Sequence, residues 1–135
     1  MNSSRPVRRR WKPVVYVAGP YRGPSEWAVK QNVALAESAA LAVWALGAAC
    51  ICPHKNTERF GGALPDRVWL EGDLELVRRC DALLIVGEWR KSQGTLGEIE
   101  EASRNGIPIC SSIEELADVL SGLCTTADLI QGGAA

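Results

Sequence analysis

Neither sign of charge dominates this chain: 15 Lys+Arg stand against 16 Asp+Glu, a formal net charge of −1. That balance leaves no global basic field to draw in a nucleic-acid polymer or an anionic membrane, so neither is expected as a partner. A long hydrophobic run is missing as well. The longest apolar stretch, 39–52, is broken by Gly47 and falls short of the ~20 residues that a membrane span needs. No apolar segment follows the early Arg5, Arg8, Arg9, Arg10 and Lys12, so these read as a solvated start rather than a secretory signal. An even cysteine framework is absent too. The 5 cysteines (Cys50, Cys52, Cys80, Cys110, Cys124) are an odd, scattered set. They suit reduced, buried thiols and a cytoplasmic location better than disulfides. There is no GxGxxG and no Walker Lys-Ser/Thr, which argues against dinucleotide and P-loop chemistry. No internal repeat or domain boundary is visible.

What is present is an alternation. Val14–Ala18 is a β-branched run ended by Gly19-Pro20 and reads as a buried strand. From Ser25 to Leu46 the chain is Ala-rich, without internal Gly or Pro, and Gly47 supplies a helix stop. Residues 48–53 read as a second strand, 54–64 as a loop, and Pro65 as the first turn of a helix running to about Arg79. Residues 81–86 form a third strand, 87–93 a loop, and a helix begins near Thr95 and ends at Asn105-Gly106. Residues 107–110 form a fourth strand. Ser112 and Glu115 make a capping box for a last helix ending near Leu123. Continuously apolar strands alternating with helices predict an α/β fold, doubly wound and flavodoxin- or Rossmann-like. Its parallel sheet has four to five strands with helices on both faces. Ligands in such folds sit beyond the carboxyl ends of the strands. The expected organisation is a disordered start (1–12), one α/β domain (13–124) and a flexible tail (125–135).

Several segments at those ends carry chemistry. In Ala18-Gly19-Pro20-Tyr21-Arg22-Gly23 the glycines allow close backbone approach, and Arg22 suits a phosphate or carboxylate. The same loop also reads as a tight turn with a surface arginine. On the helix after Pro65, with Leu70 at 0° and about 100° per residue, Leu74 and Val77 form an apolar arc. Asp73 falls inside it, at about −60°. A carboxylate there is either a raised-pKa proton donor or a buried cap. The segment Ser92-Gln-Gly94-Thr95-Leu-Gly-Glu98 also has two readings. Thr95-x-x-Glu98 is the spacing of a capping box. Alternatively, Ser92, Gly94 and Thr95 offer an anion site at a helix start, whose dipole keeps Glu98 ionised opposite Asp73. His54 and Asn56 lie past the second strand and can face a ligand. Cys50-x-Cys52-x-His54 has no visible fourth ligand, so no metal site is expected. Trp89 can stack on a base or pack over the domain edge.

Taken together, Tyr16-Val-Ala-Gly-Pro-Tyr-Arg22-Gly23, the Asp73…Asp81 pair and Ser92…Glu98 resemble the nucleoside 2-deoxyribosyltransferase superfamily. Its members include 2′-deoxynucleoside 5′-phosphate N-hydrolases and a bacterial and phage branch that also carries a Pro-His-x-Asn segment, here Pro53-His54-Lys55-Asn56. The resemblance covers roughly 14–118. It implies cleavage or transfer at an N-glycosidic bond, with Glu98 as nucleophile, Tyr16 orienting it, and Asp73 as acid or sugar-positioning group. Ser92, Gly94 and Arg22 would hold a 5′-phosphate, and Gly19, Pro20, Tyr21, His54, Asn56, Trp89 and Thr95 would complete the substrate site. It further implies no cofactor, a nucleoside or nucleotide as the small-molecule partner, and a homo-oligomer. The first loop is closer to the transferases than to the hydrolases, the loop before Ser92 is one residue longer, and 54–64 has no hydrolase counterpart. The rival reading on the same fold is a nucleotide- or ADP-ribose-binding sensor, which needs Arg22 and Ser92 but not the Glu98–Asp73 pair.

Overall fold

The computed structural model describes residues 12–57 and 59–123. The expected disordered start and flexible tail, with Cys124, lie outside those residues except for Lys12, whose ammonium donates to the Gly47 carbonyl at 2.8 Å. The elements run β1 (Val14–Ala18), α1 (Glu26–Ala45), β2 (Ala49–Ile51), α2 (Pro53–Asn56), α3 (Asp66–Arg78), β3 (Ala82–Ile85), α4 (Gln93–Arg104), β4 (Ile109–Cys110) and α5 (Ile113–Leu123). A single 3₁₀ turn, Trp89–Lys91, interrupts the loop after β3. Among the described residues no helix is long and apolar enough to cross a membrane.

The sheet has 4 strands in the order β2-β1-β3-β4. Every pairing is parallel, with Val15 opposite both Cys50 and Ala82, and Leu84 opposite Cys110. The α/β, parallel-sheet expectation holds. Alternate side chains enter opposite cores, as strand geometry requires. Val15, Val17, Ala82, Leu84 and Cys110 pack with Ala36 and Val43 of α1 and Leu116 and Leu120 of α5. Tyr16, Ala18, Leu83 and Ile85 pack on the other face with Val77 of α3 and Ala102 of α4. At the amino edge of the sheet Asp81 ties two strands together. Its carboxylate accepts from the Val14 N–H at 2.8 Å, and its own N–H donates to the Val14 carbonyl at 2.7 Å.

Three expectations are corrected. The segment after β2 is not all loop: Pro53–Asn56 forms one helical turn, with Pro53 at its first position, where the missing N–H costs nothing. The helix after β3 starts at Gln93 rather than near Thr95, because Ser92 is its N-cap and its hydroxyl oxygen accepts from the Thr95 N–H at 3.2 Å. Leu70 does not face the core. It is 54% exposed; apart from the half-buried Trp69, the covered part of α3 runs from Asp73 to Val77. The last capping box forms with a shifted second arm. Ser112 Oγ accepts from the Glu115 N–H at 3.0 Å, while Glu115 accepts from the Ser111 N–H, not that of Ser112, at 2.8 Å.

Gly19 leaves β1 where the strand order reverses, beside the end of β3. A Cβ there would lie 2.6 Å from Val86 Cγ2 and 2.9 Å from the Val86 carbonyl oxygen. That carbonyl cannot retreat freely, because the Val86 N–H donates to the Ala18 carbonyl at 2.9 Å. Gly19→Ala is therefore expected to destabilise the fold by ~1–3 kcal/mol, the usual scale of overpacking, in a denaturant titration. A variant as stable as the parent would show that the loop relaxes without strain.

Candidate active site

Parallel strands send the loops after β1, β2 and β3 out of one edge of the sheet, and the chemistry-bearing side chains collect beside that edge. Tyr16 points from β1 into the α3/α4 face and is fully buried. Its hydroxyl donates to Glu98 Oε2 in a short hydrogen bond. Burial, followed by the charges of Glu98 and Asp73, raises the Tyr16 pKa well above its ordinary value, so the phenol keeps its proton and remains the donor. Glu98 lies in the second turn of α4. Its pKa is pushed up to about 7, chiefly by desolvation; the Tyr16 hydrogen bond pulls it down and the Asp73 charge adds to the rise. Asp73 reaches the same region from α3, and burial alone lifts it to about 6.

Two expectations about Glu98 change with this geometry. Its carboxylate is bonded to Tyr16 rather than back to the Thr95 N–H, so the Thr95–Glu98 capping box does not form. The earlier helix start also moves Glu98 beyond the first turn, where the helix dipole acts. Desolvation therefore dominates, and Glu98 is the less readily ionised of the two carboxyls.

The first loop is fastened from three sides. Asn32 of α1 donates to the Tyr21 and Arg22 carbonyls at 3.1 and 3.2 Å. His54 of α2 bonds the Pro20 carbonyl through Nε2 at 2.9 Å. Because a carbonyl only accepts, Nε2 carries the proton. The buried Nδ1 then has no partner among the described residues, and burial lowers the His54 pKa, which keeps the ring neutral. Tyr21 meets the His54 ring edge-on at 5.9 Å. Arg22 pairs with Asp66 of α3 at 2.6 Å, both side chains well exposed. Sequence reasoning missed Asn32 as a clamp; an amide in the otherwise Ala-rich α1 was the available signal.

The remaining candidates have separate fates. Ser92 Oγ accepts from both the Thr95 N–H and the Thr95 hydroxyl, at 3.2 and 2.9 Å. Thr95 is buried, so it braces the helix start rather than lining an open surface. A Cβ on Gly94 would meet no atom of the described residues within 4 Å, which leaves space among them over the first turn of α4. Trp89 is half-buried and packs at the edge of the Tyr16 core, with the Arg90 guanidinium 4.3 Å above its ring. Asn56 is exposed at the end of α2. Cys50 and Cys52 pack against the α1/α5 core. Burial raises Cys50 to about 12 and Cys80 and Cys110 each to about 11, so these thiols stay protonated.

Both raised carboxyls bind protons more tightly folded than unfolded. Their stabilising contributions are complete below the ordinary values of 3.8 for Asp73 and 4.5 for Glu98 and are lost as the pH rises through about 6 and about 7 respectively. Glu98→Gln removes that loss at one of the two sites. It is expected to raise the Tm by about 2–4 °C more at pH 8 than at pH 5 in thermal melts. Equal shifts at both pH values would mean that Glu98 is not desolvated.

The fold is also that of a solved 2-deoxyribosyltransferase from the psychrotolerant bacterium Bacillus psychrosaccharolyticus. The two align with a TM-score of 0.55 at 22% identity, over 71% of this chain and 69% of that one. At that identity the likeness is one of fold. No curated protein matches the sequence. A family model does match, over residues 13–112, and by that match the chain belongs to the family described as Domain of unknown function (DUF7768).

Proposed function

We propose that this protein cleaves or transfers the N-glycosidic bond of a (deoxy)nucleoside or its 5′-monophosphate through a covalent glycosyl ester on Glu98. The observation that carries this reading is the Tyr16–Glu98 hydrogen bond, with the Asp73 charge acting on both groups in a desolvated setting. A sensor has no use for a buried carboxylate pair without a cation. A glycosyl-transfer site needs two carboxyls in different protonation states. The shared fold with a 2-deoxyribosyltransferase supports the same reading.

Because Glu98 is the less readily ionised carboxyl, the reactive form is the minor one-proton state, with the proton on Asp73; in it Glu98 attacks the anomeric carbon. The bond from that carbon to the base nitrogen breaks, and its electron pair stays on the base, which takes the proton from Asp73. In the second, water or another base attacks the same carbon, its proton passes to Asp73, and Glu98 is released. Tyr16 fixes the attacking oxygen and cannot compete as a base, because its own proton is so firmly held. Ser92, the N–H groups at the first turn of α4 and Arg22 hold a 5′-phosphate, with Arg22 exchanging Asp66 for the ligand.

The decisive experiment incubates the protein with a panel of nucleosides and 5′-monophosphates and follows release of free base. Glu98→Ala is expected to lower the rate by at least ~1000-fold, since no other group can form the ester. A 2-fluoro-2-deoxy sugar nucleoside should leave a sugar adduct on the peptide containing Glu98, read by mass spectrometry. A stable, fully active Glu98→Ala protein sinks the mechanism. Absence of free base across the panel, together with tight nucleotide binding, favours the sensor.

The pH profile tests the pair itself. kcat/KM should be bell-shaped, with limbs near the values of about 6 and about 7 that the two carboxyls carry. Asp73→Asn removes the basic limb. Because the Asp73 charge raises Glu98, the substitution also moves the acid limb below about 7. An unchanged profile leaves Asp73 outside the reaction.

Arg22→Ala should raise KM for a nucleotide by an amount worth ~1.5–3 kcal/mol, the scale of a charged hydrogen bond, and leave the matching nucleoside almost untouched. Equal losses on both substrates would remove the phosphate from the proposal.

A further inference from the structure

Helix α1 has 20 residues and buries only Ala36 and Val43 completely. Its outer side exposes Trp27 (70%), Leu41 (71%) and Trp44 (55%). Single exposed apolar residues are ordinary. Here they belong to a pattern. Trp27, Gln31, Ala34, Ser38, Leu41 and Ala45 follow one another at alternating spacings of four and three, and all are exposed. That is the spacing of a coiled-coil seam. At about 100° per residue the six fall within an arc of about 80°, and only Gln31 is neither apolar nor small. The small residues in the middle let another backbone approach closely.

A second set lies along one side of the seam. At the helix start an open groove of about 390 Å³ is lined by Gly23, Pro24, Ser25, Glu26, Val29 and Lys30. Trp44 projects near the other end. Glu26, Lys30, Glu37 and Trp44 share about 40° of arc, and the groove and Trp44 stand roughly 27 Å apart along the axis. Hole and knob, cation and anion, thus occupy opposite halves of the same side.

We propose that α1 packs antiparallel against α1 of a second copy, across a two-fold axis passing near Leu35 and Ala36. Such an axis keeps the same side of both seams together. It therefore seats the Trp44 of each copy in the groove of the other and places each Lys30 about 6 Å along the axis from the Glu37 of the other copy, within reach of a lysine side chain. The two Glu37 carboxylates lie nearer still to each other, so each needs the cations beside it: its own Lys55, already held at 2.7 Å, and the Lys30 that the other copy adds. Along the seam Trp27 lies over Ala45 and Ala34 beside Ser38, large against small and small against small. Trp27, Leu41 and Trp44 alone expose on the order of 400 Å². With the seam and the groove, the contact approaches the roughly 800 Å² per partner of a stable interface. A net charge of −1 per chain opposes the pairing little. A different partner would have no need of a face complementary to itself. The inference is independent of the catalytic reading.

Sedimentation velocity on the full chain at roughly 1–100 μM tests it, a range that covers the weak, micromolar end for interfaces near this size. The expected mass is twice the 14.6 kDa of one chain. Leu41→Glu is expected to raise the dissociation constant by roughly 100-fold, as loss of a central apolar anchor does, with unchanged circular dichroism, because the side chain is exposed. Lys30→Glu should weaken the dimer, and adding Glu37→Lys should restore it. A monomer throughout the range overturns the proposal, and is the result expected if residues 124–135 or an unlike protein cover the face. A dimer indifferent to Leu41→Glu and to the charge reversals also overturns it.

Discussion

A carboxyl taken out of water must be held by something, and here the holder is the Tyr16 phenol. Tyr16 is fixed by the sheet, since it lies mid-strand with pairing on both sides. Glu98 is fixed by the frame of α4, which Ser92 sets by capping the helix at Gln93. From that start, Thr95, Glu98 and Ala102 come round to one face, the first bracing the cap and the last filling the core. One turn on, Glu101 ties α4 to α3 through Arg78 at 2.9 Å. Asp73 stands on the α3 side of that junction, so the clamp that joins the helices also sets the distance between the two carboxyls. Moving the helix start by one residue would rotate Glu98 by about 100° and undo the arrangement.

Much of this was legible in the sequence, for definite reasons. The strands were readable because a parallel sheet buried on both faces demands unbroken apolar runs. Asp73 stood out because a carboxylate within an apolar arc costs free energy unless it caps a loop or has a chemical task. Other features lay beyond local pattern. Ser92-x-x-Thr95 and Thr95-x-x-Glu98 both look like helix starts, and the second matches the capping box better. It lost because Glu98 has a partner 82 residues away in sequence, which no window sees. Leu70 fitted the apolar period of α3, but a period says nothing about how much of a helix the sheet covers. The turn at Pro53–Asn56 is too short to show any period at all.

The electrostatics follow from what is missing around the pair among the described residues, a cation. Arginines sit close to other carboxylates, Arg22 at Asp66 and Arg78 and Arg104 at Glu101, whose pKa is lowered chiefly by the Arg78 hydrogen bond. For Glu98, burial outweighs everything else acting on it, and for Asp73 burial acts alone. The same fold thus makes two kinds of acid, one locked in salt links and one poised near neutrality.

The sheet divides its labour between its two edges. Asp81 and Val14 stitch β3 to β1 at the amino edge, while the loops bearing Gly19, His54 and Ser92 leave from the carboxyl edge. The stitch is indifferent to what the loops contain. Such a molecule is a chassis: the loops are interchangeable parts, and swapping the span between Pro20 and Pro24, or that between Glu88 and Lys91, amounts to changing a tool without rebuilding the handle.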